Sequence, residues 1–178
     1  MNRCKWCNVN NPLYVEYHDN EWGVLNLDEK HLFEMLILES FQAGISWECV
    51  LNKRKYFKEA YDNFDIEKII NYDDVKIEKL MNNKNIIRNK LKIKSSINNA
   101  KVFMDIEKKF GSFKNYLLGY FKEYPVKEVG KTTSSISDEL SKDLYKRGMR
   151  FVGSTIIYSY LQAIGLINSH DENCDVKL

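Results

Sequence analysis

The sequence predicts an all-α fold, and three observations carry that reading. Apolar residues recur at three- and four-residue spacing along most of the chain, with little sustained alternation. Only two prolines and eight glycines occur in 178 residues, so few breakers interrupt the helical pattern. Capping residues fall where the apolar periodicity starts and stops. The length suits one domain, 1–178, with a core of its own.

Asp28 caps a helix over 29–43, and a second runs over 47–61. Asp65 and Asp73 open helices over 66–71 and 74–82. A long helix over 86–109 ends at Gly111, a residue suited to a left-handed helix end. Ser112 caps 113–120, and Ser137 caps 138–147, which stops at Gly148. The last helix covers 155–164 and stops at Gly165. Segments 1–27 and 121–136 read as irregular.

Composition narrows the function classes. No apolar run approaches the roughly 20 residues that cross a membrane. Met1 to Cys7 has no apolar stretch able to act as a secretory signal. A cytoplasmic protein without a membrane partner is expected, so the four cysteines read as metal ligands or core residues, not disulfides. The net charge of +2 is unevenly spread. Seven Lys or Arg and no acid lie between Lys79 and Lys101, leaving 20 basic against 25 acidic residues elsewhere. That segment suits either a polyanion-binding face or a solvated helix face.

The ends of the chain carry a metal-ligand pattern. Cys4, Cys7 and His18 lie near the start, and His170 and Cys174 form an H-x3-C pair near the end. Two ligands from each end complete the tetrahedral set that structural zinc prefers. The N-terminal pair is either Cys4 with Cys7, a C-x2-C knuckle, or Cys4 with His18. Four protein ligands leave no open position, so the metal's part would be structural.

Within helix 29–43, Leu32, Met35, Leu36, Glu39 and Ala43 share one face, so Glu39 sits inside an apolar stripe. A carboxylate there must be paired, hydrogen-bonded or turned toward a cavity. The turn Gln42-Ala43-Gly44-Ile45-Ser46 leads to Trp47, and Trp6, Tyr14, Tyr17 and Trp22 crowd the N-terminal segment. Aromatic faces beside a buried carboxylate could hold a flat, cationic base. Further on, Arg147-Gly148 through Gly153-Ser154-Thr155 joins two helices. The second presents free N–H groups suited to phosphate, with Arg147 and Arg150 nearby.

The motifs Arg3-Cys4, Trp6, Pro12-Leu13-Tyr14 and Tyr17-His18-Asp19-Asn20-Glu21-Trp22-Gly23-Val24 resemble the N-terminal signature of the DNA-3-methyladenine glycosylase I family. Leu38-Glu39, Gln42 through Trp47, Lys146-Arg147-Gly148, Phe151-Val152-Gly153, and Gly165 through His170 with Cys174 extend the resemblance over nearly the whole chain. The resemblance implies an all-α helix-hairpin-helix glycosylase fold with one structural zinc joining the terminal segments. It assigns the zinc to Cys4, His18, His170 and Cys174, leaving Cys7 out. It places Glu39 as the catalytic carboxylate, with Tyr17, Trp47, Trp6, Tyr14 and Ser159 around the base. It gives DNA contacts to Gln42, Gly44, Ile45, Arg147, Arg150, Gly153 and Ser154.

The resemblance further implies a monomeric enzyme that flips a nucleotide out of alkylated double-stranded DNA and hydrolytically releases free 3-methyladenine. Many helix-hairpin-helix glycosylases carry an aspartate where this chain reads Ile167-Asn168. Asparagine supplies neither a base nor a full negative charge, and no hairpin lysine suggests a Schiff-base lyase, so a monofunctional enzyme is expected. The alternatives are a non-enzymatic zinc-dependent DNA-binding protein and a glycosylase for another lesion.

Overall fold

Helices occupy most of residues 1–176, the part that the computed structural model describes. In chain order they are α1 (Pro12–Asn20), α2 (Glu29–Gln42), α3 (Trp47–Leu51), α4 (Arg54–Ala60), α5 (Ile66–Ile69) and α6 (Asp74–Asn82). Beyond them come α7 (Lys90–Phe110), α8 (Phe113–Leu118), α9 (Ser135–Lys146) and α10 (Ser154–Ala163). The centre is α2, whose residues Leu32 to Phe41 are all buried. It packs against α3, α7, α8 and α10. One contiguous apolar cluster runs through all of these. Among the described residues, no helix is long and apolar enough to cross a membrane.

Local hydrogen bonding decides the places where helices differ from the sequence pattern. The N-terminal segment is not wholly irregular. Asn11 accepts from the Leu13 N–H at 3.1 Å, Pro12 presets the first turn, and α1 forms. The stretch 47–61 is not one helix. Asn52 keeps helical dihedrals while its side chain accepts from Asn11 Nδ2 at 3.0 Å; the Lys53 N–H then turns to the Val50 carbonyl three residues back, so α3 ends and α4 restarts at Arg54. The long helix begins at Asn89, whose side chain accepts from the Lys92 N–H. Ser137 is not the cap of α9. Ser134 is, and the two serines form a reciprocal capping box.

The chain is not purely helical either. Val126–Lys127 (β1) and Ile167–Asn168 (β2) pair in parallel. The Val126 N–H donates to the Leu166 carbonyl and the Glu128 N–H to the Asn168 carbonyl, both at 2.9 Å. Two residues per strand are too few for any periodic signal. The pair draws the loop 121–134 against the segment that leaves α10. Beside it, Gly165 has φ +79°, and a Cβ there would meet the Val24 and Leu25 backbone at 2.4 Å. That glycine lets residues 22–26 lie directly on the end of α10.

Candidate base pocket and metal centre

These elements converge on a cavity of about 330 Å³. Trp6, Tyr14, Tyr17 and Trp22 from the N-terminal segment line it together with Glu39, Gln42 and Trp47 from α2 and α3. Ser159 and Gln162 come from α10, and Lys131 and Asp171 stand where β1 and β2 bring their loops together. The rings interlock: Tyr17 lies 5.2 Å from Trp47, and Trp6 lies 4.6 Å from Trp22 and 5.2 Å from Tyr14. Gly44, at φ +79°, turns the chain so that Trp47 can begin α3 facing back toward α2.

Glu39 Oε2, Gln42 Oε1 and Trp47 Nε1 are buried around this cavity with no hydrogen-bond partner among the described residues. Buried orphans are rare because each forfeits its hydration. Two acceptors and one donor between aromatic faces make a site for a flat heteroaromatic ring. Burial pushes the Glu39 carboxyl well above its ordinary range. Burial, aided by the Glu39 charge, likewise raises Tyr17 well above the ordinary phenol range. Tyr14 is pushed up to about 12, again chiefly by burial.

Behind the tryptophan wall lies the metal-ligand cluster. Donor atoms of Cys4, His18, His170 and Cys174, all buried, lie within 4.8 Å of one another and could hold a metal ion. Cys7 stands apart, its thiol 3.8 Å from the Tyr14 carbonyl. Each imidazole is oriented from behind. Asp19, held down to about 2 mainly by its hydrogen bond from Arg3, is ionised and accepts from His18 Nδ1 at 2.8 Å. The Trp22 carbonyl, 3.1 Å away, can only accept, so His170 carries its proton on Nε2. His170 Nδ1 therefore turns its lone pair toward both thiols, while His18 Nε2 accepts from the Cys4 N–H at 3.2 Å and lies 3.6 Å from the Cys174 thiol. Trp22 and His170 rings lie 4.6 Å apart, which joins this cluster to the cavity wall.

The turn between α9 and α10 forms a third surface. Gly148 has φ +107° and Phe151, unusually for a side-chain-bearing residue, +57°. Gly153 caps α10 without a side-chain bond and is exposed, and a Cβ there would meet nothing within 4 Å. The protein itself would tolerate a side chain at that position. Ser154 donates to Asp138 Oδ1 and so is engaged inside the fold. Arg147 is engaged too: Nε donates to Asp143 at 2.6 Å, and the guanidinium stands 5.2 Å over both Phe110 and Tyr116. Arg150 is exposed and stacks 4.6 Å over Tyr145.

The sequence model of the methyladenine glycosylase family matches residues 6–177. The chain belongs to the methyladenine glycosylase family. It is 41% identical to DNA-3-methyladenine glycosylase 1 of Escherichia coli (strain K12), over 98% of this chain and 96% of that one. A crystal structure of 3-methyladenine DNA glycosylase I superposes with a TM-score of 0.95 at 39% identity, covering 99% and 100% of the two chains. A Tyr→Phe variant of 3-methyladenine DNA glycosylase I, solved in complex with 3-methyladenine, gives 0.94 at 33% identity, covering 100% and 98%.

In this glycosylase the residues singled out by sequence separate into three places. Glu39, Tyr17, Trp47, Trp6, Tyr14 and Ser159 meet in the cavity. Gln42 joins them there, while Ile45 forms the exposed tip of the 42–46 turn. Cys4, His18, His170 and Cys174 form the Cys/His cluster that could hold a metal. Arg147, Arg150, Gly153 and Ser154 share the α9–α10 turn. Sequence reasoning passed over Trp22 as a wall residue, although the aromatic crowding named it. It also passed over Gln162, three residues after Ser159 on α10, and over Lys131 and Asp171, whose placement depends on a strand pair with no sequence signal. Of the basic stretch, six residues are exposed and Lys92 is buried.

Proposed function

We propose that this enzyme extrudes 3-methyladenine from alkylated double-stranded DNA and hydrolyses its N-glycosidic bond, as a monofunctional helix-hairpin-helix glycosylase with a structural zinc. The observation that carries the reading is the Glu39 carboxylate, buried in an aromatic cavity with an unpartnered oxygen. A pure phosphate binder has no use for such a group. The relatives named for 3-methyladenine support the same substrate.

Methylation at N3 makes the adenine ring cationic. When the bond from C1′ to N9 breaks, its electron pair neutralises the base, which leaves without needing a strong acid. Water adds to C1′, loses a proton and leaves an abasic sugar. The protein's part is extrusion and selection. Flipping costs a few kcal/mol, and stacking on the cavity's aromatic rings, Trp47 among them, offsets about 1–3 kcal/mol per base. Glu39 accepts from the adenine edge and pairs with its positive charge. Neutral adenine would leave that carboxylate buried and unpaired, which selects against it. Asn168, at the position where related folds carry aspartate, accepts from the His170 N–H at 3.1 Å and so serves the metal loop. Lys131, which lines the cavity, pairs with Glu128 at 2.8 Å.

The donor set suits zinc. Tetrahedral zinc bonds to sulfur and nitrogen separate those donors by about 3.5 Å; the thiol-to-imidazole distances are 3.4, 3.5 and 3.6 Å. With four protein ligands, zinc would supply cross-linking of the chain ends and no reaction chemistry. For the grip on DNA, the open space over Gly153 and the free N–H groups of α10 suit a phosphate, with Arg150 adding charge. Arg147 braces the turn through Asp143. The test is incubation with methylated duplex DNA and identification of the bases released. Release of 3-methyladenine is expected. Binding without release would leave a DNA-binding protein, and release of another base a different lesion specificity.

A further inference from the structure

Lys92 sits in the first turn of α7, in the most basic stretch of the chain, yet only 7% of it is exposed. Its ammonium donates to the carbonyls of Phe41 at 2.8 Å and Ala43 at 2.5 Å. These are the last carbonyls of α2 and its exit, where a cation meets the negative end of the helix dipole. The next residues are Gly44 and Ile45, the exposed tip beside the cavity. The same ammonium stands 5.7 Å over the ring of Phe151, in the α9–α10 turn.

Farther along α7, Asn98 donates to the Gly148 carbonyl at 2.7 Å. Asn99 both donates to the Arg150 carbonyl and accepts from its N–H, each at 2.9 Å. One helix therefore holds the 42–46 turn with Lys92 and the α9–α10 turn with Asn98 and Asn99. Six or seven residues at 1.5 Å each set these anchors about 10 Å apart along the axis. Building on the function proposed above, extrusion needs a wedge that enters the base stack at a fixed offset from the gripped phosphate, and the exposed tip at Gly44 and Ile45, which the family resemblance gives to DNA, is placed to be that wedge.

We infer that Lys92 is a positioning residue for nucleotide extrusion: it fixes the 42–46 turn against the phosphate-gripping turn and takes no part in reading the base. Lys92→Met keeps the bulk and removes the donors; Lys92→Arg keeps a cation that can reach both carbonyls. Single-turnover excision of 3-methyladenine from a fully paired duplex should fall roughly tenfold or more in Lys92→Met, since a misplacement of about 1 Å can cost a hundredfold. The defect should shrink when the lesion faces a mismatched base, where extrusion costs less. Titration of free 3-methyladenine should match wild type, and Lys92→Arg should recover duplex excision. Equal losses on paired and mismatched substrates, weakened free-base binding, or undiminished duplex excision would each overturn the inference. If Lys92→Met does not fold, Lys92→Gln, which keeps a shorter, uncharged NH2 with two N–H donors, is put through the same comparison. Absence of 3-methyladenine release by the wild-type enzyme would fail the proposed function instead.

Discussion

Glu34 and Glu39 lie five residues apart on α2, both buried, and of the two it is Glu34 that meets cations. Arg54 donates to Glu34 at 2.7 Å and Lys58 stands 3.2 Å away, whereas Glu39 faces the aromatic cavity with an unpartnered oxygen. One acid is paired within the fold, and the other is left without a cation of its own, which suits the charged ligand proposed above. Burial without a partner costs stability that a substrate can return.

Glu39→Gln should therefore trade function for stability. The folded pKa of Glu39 is raised above the ordinary 4.5. The neutral form is then favoured on folding, and its contribution is lost as pH rises from about 4.5 through the folded value. Thermal melts should show the variant more stable than wild type at pH 8, with the advantage vanishing at pH 4. Its affinity for free 3-methyladenine should drop roughly ten- to hundredfold, the worth of a hydrogen bond to a charged group. Unchanged affinity would remove the carboxylate from recognition.

Metal analysis of protein purified without added metal should find one zinc per chain. Cys174→Ser and His18→Ala should lose it and melt earlier, while Cys7→Ser keeps it, because that thiol faces the Tyr14 carbonyl. Retention in His18→Ala with loss in Cys7→Ser would reverse the ligand assignment.

The Gly153 position separates DNA grip from base recognition. Gly153→Leu should fold, since its Cβ meets nothing, yet bind duplex DNA weakly and free 3-methyladenine normally. Arg150→Ala should lower the salt dependence of DNA binding by about one unit of log–log slope. Fluorescence titrations across a salt series read both.

Gly165→Ala should destabilise the protein by roughly 1–3 kcal/mol or more, through positive φ and the clash with residues 24–25. Chemical denaturation measures it; a change below about 0.5 kcal/mol would mean the backbone there yields easily.

Much of the molecule was legible in the sequence because its signals are local. Periodicity and caps found most helices; the residue spacing pointed to a Cys/His cluster but left Cys7 and His18 as rivals, and only the family resemblance chose His18. The hidden features depend on contacts between distant segments. The break at Asn52 answers Asn11, the cap at Ser134 answers Ser137, and Lys131 and Asp171 reach the cavity through a two-residue strand pair. The basic stretch misled in one respect: residue type says a lysine is charged, not whether it faces DNA or a helix end. Glu39 was visible as an acid in an apolar stripe, but Glu34 shows that pairing cannot be read from that stripe alone.

The strand pair has a consequence for synthesis. Glu39 and Trp47 leave the ribosome early, but the cavity also needs Ser159, Gln162 and Asp171, and the metal cluster needs His170 and Cys174. The 121–134 loop has no strand to join until Ile167 is made. A nascent chain halted before that point carries the reading carboxylate and the aromatic faces without a completed chamber. At about 5–20 residues per second, the early helices are exposed for seconds before any base can be excised. The cavity and the Cys/His cluster are complete only once Asp171 and Cys174 have been made.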